Sequence, residues 1–355
     1  MYKILVINPG STSTKIGVFD DDVVLFIEKI NHSNQKIAKY NKVTDQYEFR
    51  LKNILDILKE KRFDLSSLNA VVARGGLLKP LESGTYTIND LMIEHLKEAK
   101  YGEHASNLAA LIAKEISSLY DIPAFIADPV VVDELQDSAR FSGIPEIERK
   151  SIFHALNHKA VAKRYAKEND TSYEELNLIV AHLGGGISVA SHKKGRVIEV
   201  NNCLNGDGPF SPERSGGLPV GDLVKLCFSG KFTEDEILGK IAGKGGMVAY
   251  LNTNNLELVM ERVKSGDNEY IGVYEAFILQ IGKEIGKCAA VLKGKVDCII
   301  ITGGIAYSNR VVEDIKEMVE FISPVVVYPG EDELSALCQG ALRVLNREEK
   351  AKNYI

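Results

Sequence analysis

Short apolar runs at Ile4–Ile7, Ala70–Ala73, Ala124–Ala127, Leu178–Leu183, Cys298–Thr302 and Val325–Tyr328 each pass directly into turn or polar residues. Runs of this length suit buried strands better than helices, and helical spacing fills several of the intervals between them. The pattern therefore predicts an α/β protein. Helices are expected over Asn107–Tyr120, Ser151–Tyr165, Tyr270–Leu292 and Leu334–Leu345. In the third, Val273, Phe277, Ile281, Ile285 and Ala289 recur every four residues and predict a stripe turned to the core. A chain of 355 residues with 45% hydrophobic content is long enough for two domains with separate cores. A faint repeat runs through it. Lys3–Phe19 reads strand, Gly/Ser turn, strand, and Asn177–Val200 reads strand, Gly-rich turn, strand, turn, strand. An ancient duplication would leave such an echo, and so would two unrelated hairpins.

Composition removes several classes of function. A formal net charge of -6 provides no concentrated basic surface for nucleic acid. Five scattered cysteines, odd in number and without a C-x-x-C pair, suggest reduced thiols and not a disulfide framework or zinc knuckle. The opening MYKILVINPG reads as a first strand running into a turn and lacks the pattern of a signal peptide. No stretch approaches the ~18 consecutive apolar residues of a membrane span. A soluble, cytoplasmic protein is expected.

Three strand ends carry residues suited to phosphate. Asn8-Pro9-Gly10-Ser11-Thr12-Ser13-Thr14-Lys15 sets a glycine, hydroxyls and an ammonium in a turn between two strands, although taken alone it also reads as a polar hairpin. It is not a Walker A loop, since the G-x-x-x-x-G-K-[ST] spacing is missing and no helix follows. His182-Leu183-Gly184-Gly185-Gly186 ends a second strand with glycines that let a main chain approach a ligand, or that merely keep a hairpin flexible. Thr302-Gly303-Gly304-Ile305-Ala306 ends a third, where a nucleotide could lie against the backbone. Arg74-Gly75-Gly76 and Arg214-Ser215-Gly216-Gly217 place arginines beside glycines, as an anion clamp would need and as a surface charge would also allow. Asp128, at a strand end before Pro129, reads equally as an active-site carboxylate or as a cap. His154 and His158 stand four apart on an expected helix, but without H-E-x-x-H or a third ligand they do not make a zinc site. There is no G-x-G-x-x-G and no G-x-S-x-G, which counts against a dinucleotide-binding dehydrogenase and an α/β-hydrolase.

In chain order, VINPGSTSTK, ARGG, GEHASN, ADPVVVDEL, SIFHALNH, VAHLGGGIS, FSPERSGG, ITGGIAYSN and YPGEDELSALCQGAL resemble the acetate and butyrate kinase family, part of the actin, Hsp70 and sugar-kinase superfamily. The resemblance implies two duplicated actin/Hsp70-like (ribonuclease H-like) α/β domains with a nucleotide cleft between them. Residues 1–150 would form the first, completed by a C-terminal helix over 338–355, and residues 151–337 the second. It implies ATP and Mg2+, a short-chain carboxylate substrate, and a homodimer or higher homo-oligomer. Carried over by position, Asn8, Ser11, Ser13 and Lys15 would form one phosphate loop, and His182, Gly184, Gly185 and Gly186 another. Gly303, Gly304 and Ile305 would support the adenosine. Arg74, His104, Asp128, His154 and Arg214 would surround the transferring phosphoryl group, and Asn8 and Glu333, the latter chosen from Glu331-Asp332-Glu333, would serve the metal. Acetate kinases in the family have more residues between the positions of Pro212 and Arg214, where Glu213 alone stands here. If that loop walls the acyl pocket, the shorter wall implies a longer acyl chain.

Overall fold

In the computed structural model, which describes residues 1–355, the apolar runs become strands that extend slightly into their turns. The strands are β1 (Lys3–Pro9), β2 (Ser13–Asp20), β3 (Val23–Asn31), β4 (Ala70–Arg74), β5 (Thr85–Thr87), β6 (Ala124–Ala127), β7 (Asn177–Leu183), β8 (Ile187–Lys193), β9 (Arg196–Val200), β10 (Cys298–Gly303), β11 (Val325–Pro329) and β12 (Lys352–Asn353). They form a seven-stranded sheet ordered β12-β5-β6-β4-β1-β2-β3 and a five-stranded sheet ordered β11-β10-β7-β8-β9. Each contains the same unit. A three-stranded antiparallel meander is extended from its first strand by two parallel strands, β4 and β6 in one sheet and β10 and β11 in the other. The echo between Lys3–Phe19 and Asn177–Val200 is thus a repeated topology.

Burial explains why these strands read as continuous apolar runs. β1 and β7 are buried from their second residue onward and β10 throughout, as expected of strands covered on both faces. Side chains alternate across the second sheet. Ile179, Ala181, Ile299 and Ile301 pack with Phe277, Ile281 and Ile285 of the helix Asn268–Val291. Leu178, Val180, Cys298 and Ile300 pack with Val161 and Ala162 of the helix Ala155–Glu168. Full burial of such side chains contributes about 1.5–3 kcal/mol each, and this sets which helix face turns inward. In the first sheet, Leu5, Ile7, Val71 and Ala73 meet Leu108, Leu111, Ile112 and Ile116 of the helix Asn107–Leu119. The edge strand β3 instead alternates between exposed and half-buried positions. No helix is long and apolar enough to cross a membrane.

The chain separates into Met1–Val132 with Asp332–Ile355, and Asp133–Glu331. The first boundary precedes residue 150 because the segment after Val132 is tied to the second sheet. Gln136 N–H donates to Ile198 O (3.1 Å), and Arg149 pairs with Glu199 (2.6 Å). Glu134 Oε2 accepts from Val197 N–H (2.8 Å) and from Lys159 Nζ (2.6 Å), both carboxylate and ammonium being buried. At the other end the first unit is completed from Asp332, not from 338. The helix Glu333–Leu345 lies against this sheet with Leu334 and Leu337 buried, and β12 pairs with β5. The expected helix over Ser151–Tyr165 begins only at Ala155. Ile152 O accepts from Cys203 N–H (3.0 Å) and so is lost to a helical ladder.

Removing one partner of a buried ion pair strands the other. Glu134→Ala should lower the stability of the second unit by roughly 3–5 kcal/mol, read as a shift in its urea unfolding followed by circular dichroism. The double change Glu134→Leu, Lys159→Met should recover most of the loss.

Candidate active site

The first hairpin pairs Asn8 with Lys15 and Pro9 with Thr14, so Gly10-Ser11-Thr12-Ser13 make the turn, Ser13 also pairing with Asn31 of β3. Asn8, Ser13 and Lys15 are strand residues. Paired side chains share a face, which sets Lys15 beside Asn8. The carbonyl oxygens of the turn are all taken. Thr12 O accepts from His32 N–H (2.8 Å). Ser13 O accepts from Gly10 N–H (2.7 Å). Arg50 donates to Gly10 O (2.7 Å), Ser11 O (2.9 Å) and Ser13 O (3.2 Å). It also donates to Gln46 Oε1 (2.8 and 3.0 Å) and to Thr14 Oγ1 (3.2 Å), so no carboxylate is among its hydrogen-bond partners. Arg50 is 1% exposed, and burial lowers its pKa from the usual arginine value, yet guanidinium stays charged near neutral pH. A fixed cation therefore lies beneath a turn whose exposed surface carries the Ser11 and Thr12 hydroxyls and main-chain N–H groups, a setting that favours an anion. Sequence motifs passed over Arg50. Its signal was a charged residue in step with Ile54 and Leu58 on the buried stripe of the helix Tyr47–Glu60.

At the carboxyl ends of β1 and β4, Glu333 draws two predicted residues together. Its Oε1 lies 2.7 Å from Arg74 Nη1, its Oε2 accepts from Asn8 Nδ2 (2.6 Å), and Arg74 Nη1 reaches Asn8 Oδ1 at 3.4 Å. Its acidic neighbours have other work. Asp332 caps the helix by accepting from Ser335 N–H, and Glu331 lies in the second unit beside His182. Asp128 is buried with a left-handed backbone (φ 38°), and its Oδ1 accepts from Ser83 Oγ (2.6 Å) and Gly84 N–H (2.8 Å). Its hydrogen bonds thus hold a loop and orient no arginine. Gly75 and Gly76 owe their identity to packing, since a Cβ on either would overlap Pro129 or Asn107. His104 Nδ1 accepts from Ser106 N–H (3.2 Å), which places the ring proton on Nε2. Desolvation first, and Arg74 second, lower its pKa and keep the ring neutral.

In the second unit the turn Gly184-Gly185-Gly186 joins β7 to β8. Arg214 lies against it so closely that a Cβ on Gly186 would overlap the guanidinium. Arg214 Nη1 donates to Cys203 O (2.7 Å), and Ser211 Oγ donates to Gly185 O (2.6 Å) while accepting from Arg214 N–H (3.1 Å). His154 is the residue before its helix and not a member of it, so it shares no helix face with His158. Its ring stacks on His182 with centroids 3.8 Å apart, and its Nδ1 meets Ser188 Oγ at 2.8 Å. His182, expected on the phosphate loop, is wholly buried. Its Nδ1 meets Asn157 Oδ1 (2.7 Å) and its Nε2 faces Glu331 Oε1 (2.9 Å), so it supports His154 and the turn from behind. Gly303 (φ 91°) packs on the main chain of Leu183 where no side chain fits, while Gly304 faces open space. A cavity of about 260 Å³ is lined by Gly184, Gly185, Pro212, Glu213, Asn254, Leu256, Gly304, Ile305 and Glu331. Pro212 and Glu213 therefore border the same cavity as Gly304 and Ile305, two of the residues expected to support adenosine. No group of three or more His, Cys, Asp and Glu side chains is arranged to hold a metal ion.

The family model described as the acetokinase family matches residues 145–329. The chain is 60% identical over 353 residues to a protein named probable butyrate kinase from Clostridium botulinum (strain Alaska E43 / Type E3), covering 99% of each. It is 60% identical over 354 residues to butyrate kinase 1 of Clostridium acetobutylicum, covering 100% of each. Among solved structures it resembles an acetate kinase from Porphyromonas gingivalis with a TM-score of 0.78, at 20% identity and over 97% of this chain and 100% of that one, a likeness of fold.

If Arg50 supports the first turn, Arg50→Met should leave three carbonyl oxygens without that donor and destabilise the first unit by about 3 kcal/mol. Thermal unfolding of that variant, with the Gln46→Met change as a milder comparison, measures the effect.

Proposed function

We propose, from the premise that this chain belongs to the acetokinase family, that it transfers the γ-phosphoryl group of ATP to butyrate or a branched relative, giving an acyl phosphate and ADP. The observation that carries this reading is 60% identity along the whole chain to proteins named butyrate kinase. A carboxylate with a pKa of roughly 4–5 is already ionised near pH 7, so the attack needs no general base. That fits an Asp128 whose Oδ1 accepts from Ser83 and Gly84 and holds a loop. The remaining task is to bring anions together and stabilise charge on the transferring group. Arg74 and Arg214 suit it, each held at a strand or turn end, with His104 and His154 as hydrogen-bond donors to phosphoryl oxygens. Lys15, Ser11 and Ser13 are proposed to hold phosphate above Arg50, and the cavity at Gly304 and Ile305 to take the nucleoside.

Mg2+ prefers oxygen donors and keeps several waters, using one or two carboxylates with the substrate's own phosphates. Glu333 and Asn8 fit that modest demand, and the absence of a three-residue metal cluster does not conflict with it. These two residues would hold the ion, which would neutralise phosphate charge when bound with ATP. The use of ATP and the five free cysteines accord with a cytoplasmic setting.

Acyl phosphate trapped as hydroxamate, measured over acetate, propionate, butyrate and isobutyrate with ATP, tests the substrate. kcat/KM should peak at the four-carbon acids, and a peak at acetate contradicts the reading. Arg214→Ala should lower kcat by about 10²–10³-fold with little change in KM. Because a Cβ on Gly186 displaces the same guanidinium, Gly186→Ala should give a comparable loss, and the double variant should be no worse than either alone.

A further inference from the structure

Behind His154 runs a line of buried polar groups to which no sequence motif assigned a part. Tyr173 Oη lies 2.6 Å from His192 Nδ1, His192 Nε2 lies 3.3 Å from His158 Nδ1, and His158 Nε2 lies 2.9 Å from Ser188 Oγ. Ser188 Oγ then lies 2.8 Å from His154 Nδ1. His158, His192 and Ser188 are wholly buried. Local structure makes the line possible. Ser188 and His192 are four apart on β8 and share a sheet face, His158 comes from the first turn of the helix Ala155–Glu168, and Tyr173 opens the short helical turn before β7. The rings of His158 and His192 lie nearly parallel, 5.6 Å apart.

We propose that this line fixes the tautomer of His154, placing its ring proton on Nε2 so that it meets the phosphoryl group as a neutral hydrogen-bond donor. Only the identity of the acceptor rests on the carboxylate-kinase reading. A neutral imidazole has one donor and one acceptor nitrogen, so a line of them is polarised in a single sense from end to end. Both internal rings are neutral. Burial, with the neighbouring rings for His158 and Lys159 for His192, holds each well below the usual histidine range.

The far end sets the sense. A phenol O–H is a stronger acid than the N–H of a neutral imidazole, so the 2.6 Å contact is assigned with the phenol as donor. Tyr173 therefore donates to His192 Nδ1, His192 Nε2–H to His158 Nδ1, and His158 Nε2–H to Ser188 Oγ. A further hydrogen bond to the Ser188 main chain also favours a proton on His158. Ser188, accepting from His158, has its hydroxyl proton available for His154 Nδ1, and in that assignment the His154 proton sits on Nε2. The opposite polarity would turn a lone pair toward anionic oxygens. His104 reaches the same tautomer by a shorter route, through the Ser106 main-chain N–H. Tyr173, His192, His158 and Ser188 are thus positioning residues that act through His154.

Long-range 1H–15N correlation spectra of the full chain labelled with [15N]histidine report the tautomer of each of its seven imidazoles, assigned with single His→Gln variants. In the ligand-free protein at neutral pH, His154 should be in the Nε2–H form. Ser188→Ala and Tyr173→Phe should convert it to a mixture and lower kcat about tenfold at unchanged KM, and Ser188→Thr should restore both. An Nδ1–H signal for His154 in the unsubstituted protein, or an Nε2–H signal unaltered by Ser188→Ala, overturns the proposal. If the Nε2–H signal responds as described but no acyl phosphate forms, the tautomer proposal stands and the functional reading alone fails.

Discussion

A tight hairpin turn leaves main-chain carbonyl oxygens that need donors, and in both meanders of this chain side chains from elsewhere in the same unit supply them. Arg50 takes the carbonyls of Gly10, Ser11 and Ser13 from below. In the second unit, Ser211 takes the carbonyl of Gly185, and Arg214, fixed through Ser211 and Cys203, lies across Gly186. Burying a guanidinium without a carboxylate costs several kcal/mol unless its N–H groups are well accepted. At Arg50 the oxygens of Gln46 and of the turn meet that condition. The result is a rigid turn with a fixed positive charge against it, which is what binding an anion without reorganisation requires.

The duplicated topology explains where the other groups stand. Candidate site residues collect at the carboxyl ends of the parallel strands, the usual ligand side of open α/β sheets. Asn8, Arg74 and Asp128 stand at the ends of β1, β4 and β6, and Leu183, Gly303 and Gly330 at those of β7, β10 and β11. The two copies are equipped differently. The first carries an amide, an arginine and carboxylates. The second carries glycines that admit close packing, together with the line of histidines.

The strand runs were legible because burial on both faces leaves an unbroken apolar record, and the helix Asn268–Val291 because its buried face keeps helical period. The unit boundaries were not. The segment from Asp133 to Lys150 has no apolar pattern of its own and is held by Glu134 and Arg149, whose partners lie far along the chain. The glycines were seen, but the packing behind several was not. A Cβ on Gly75, Gly186 or Gly303 would overlap Pro129, Arg214 or the Leu183 main chain. Among the three acids at 331–333, only geometry separates a helix cap from the partner of Arg74 and the neighbour of His182. Arg50, Tyr173 and His192 belong to no motif and became visible only through the groups they touch.

The proposed chemistry is direct attack of an already ionised carboxylate on the phosphoryl group, with charge and position supplied by held arginines. It is tested most directly by following ATP with [18O2]butyrate by 31P NMR. Direct attack predicts an acyl phosphate whose phosphorus resonance carries the isotope shift of one bridging 18O. Release of inorganic phosphate without an acyl phosphate, or an acyl phosphate lacking that shift, would contradict it.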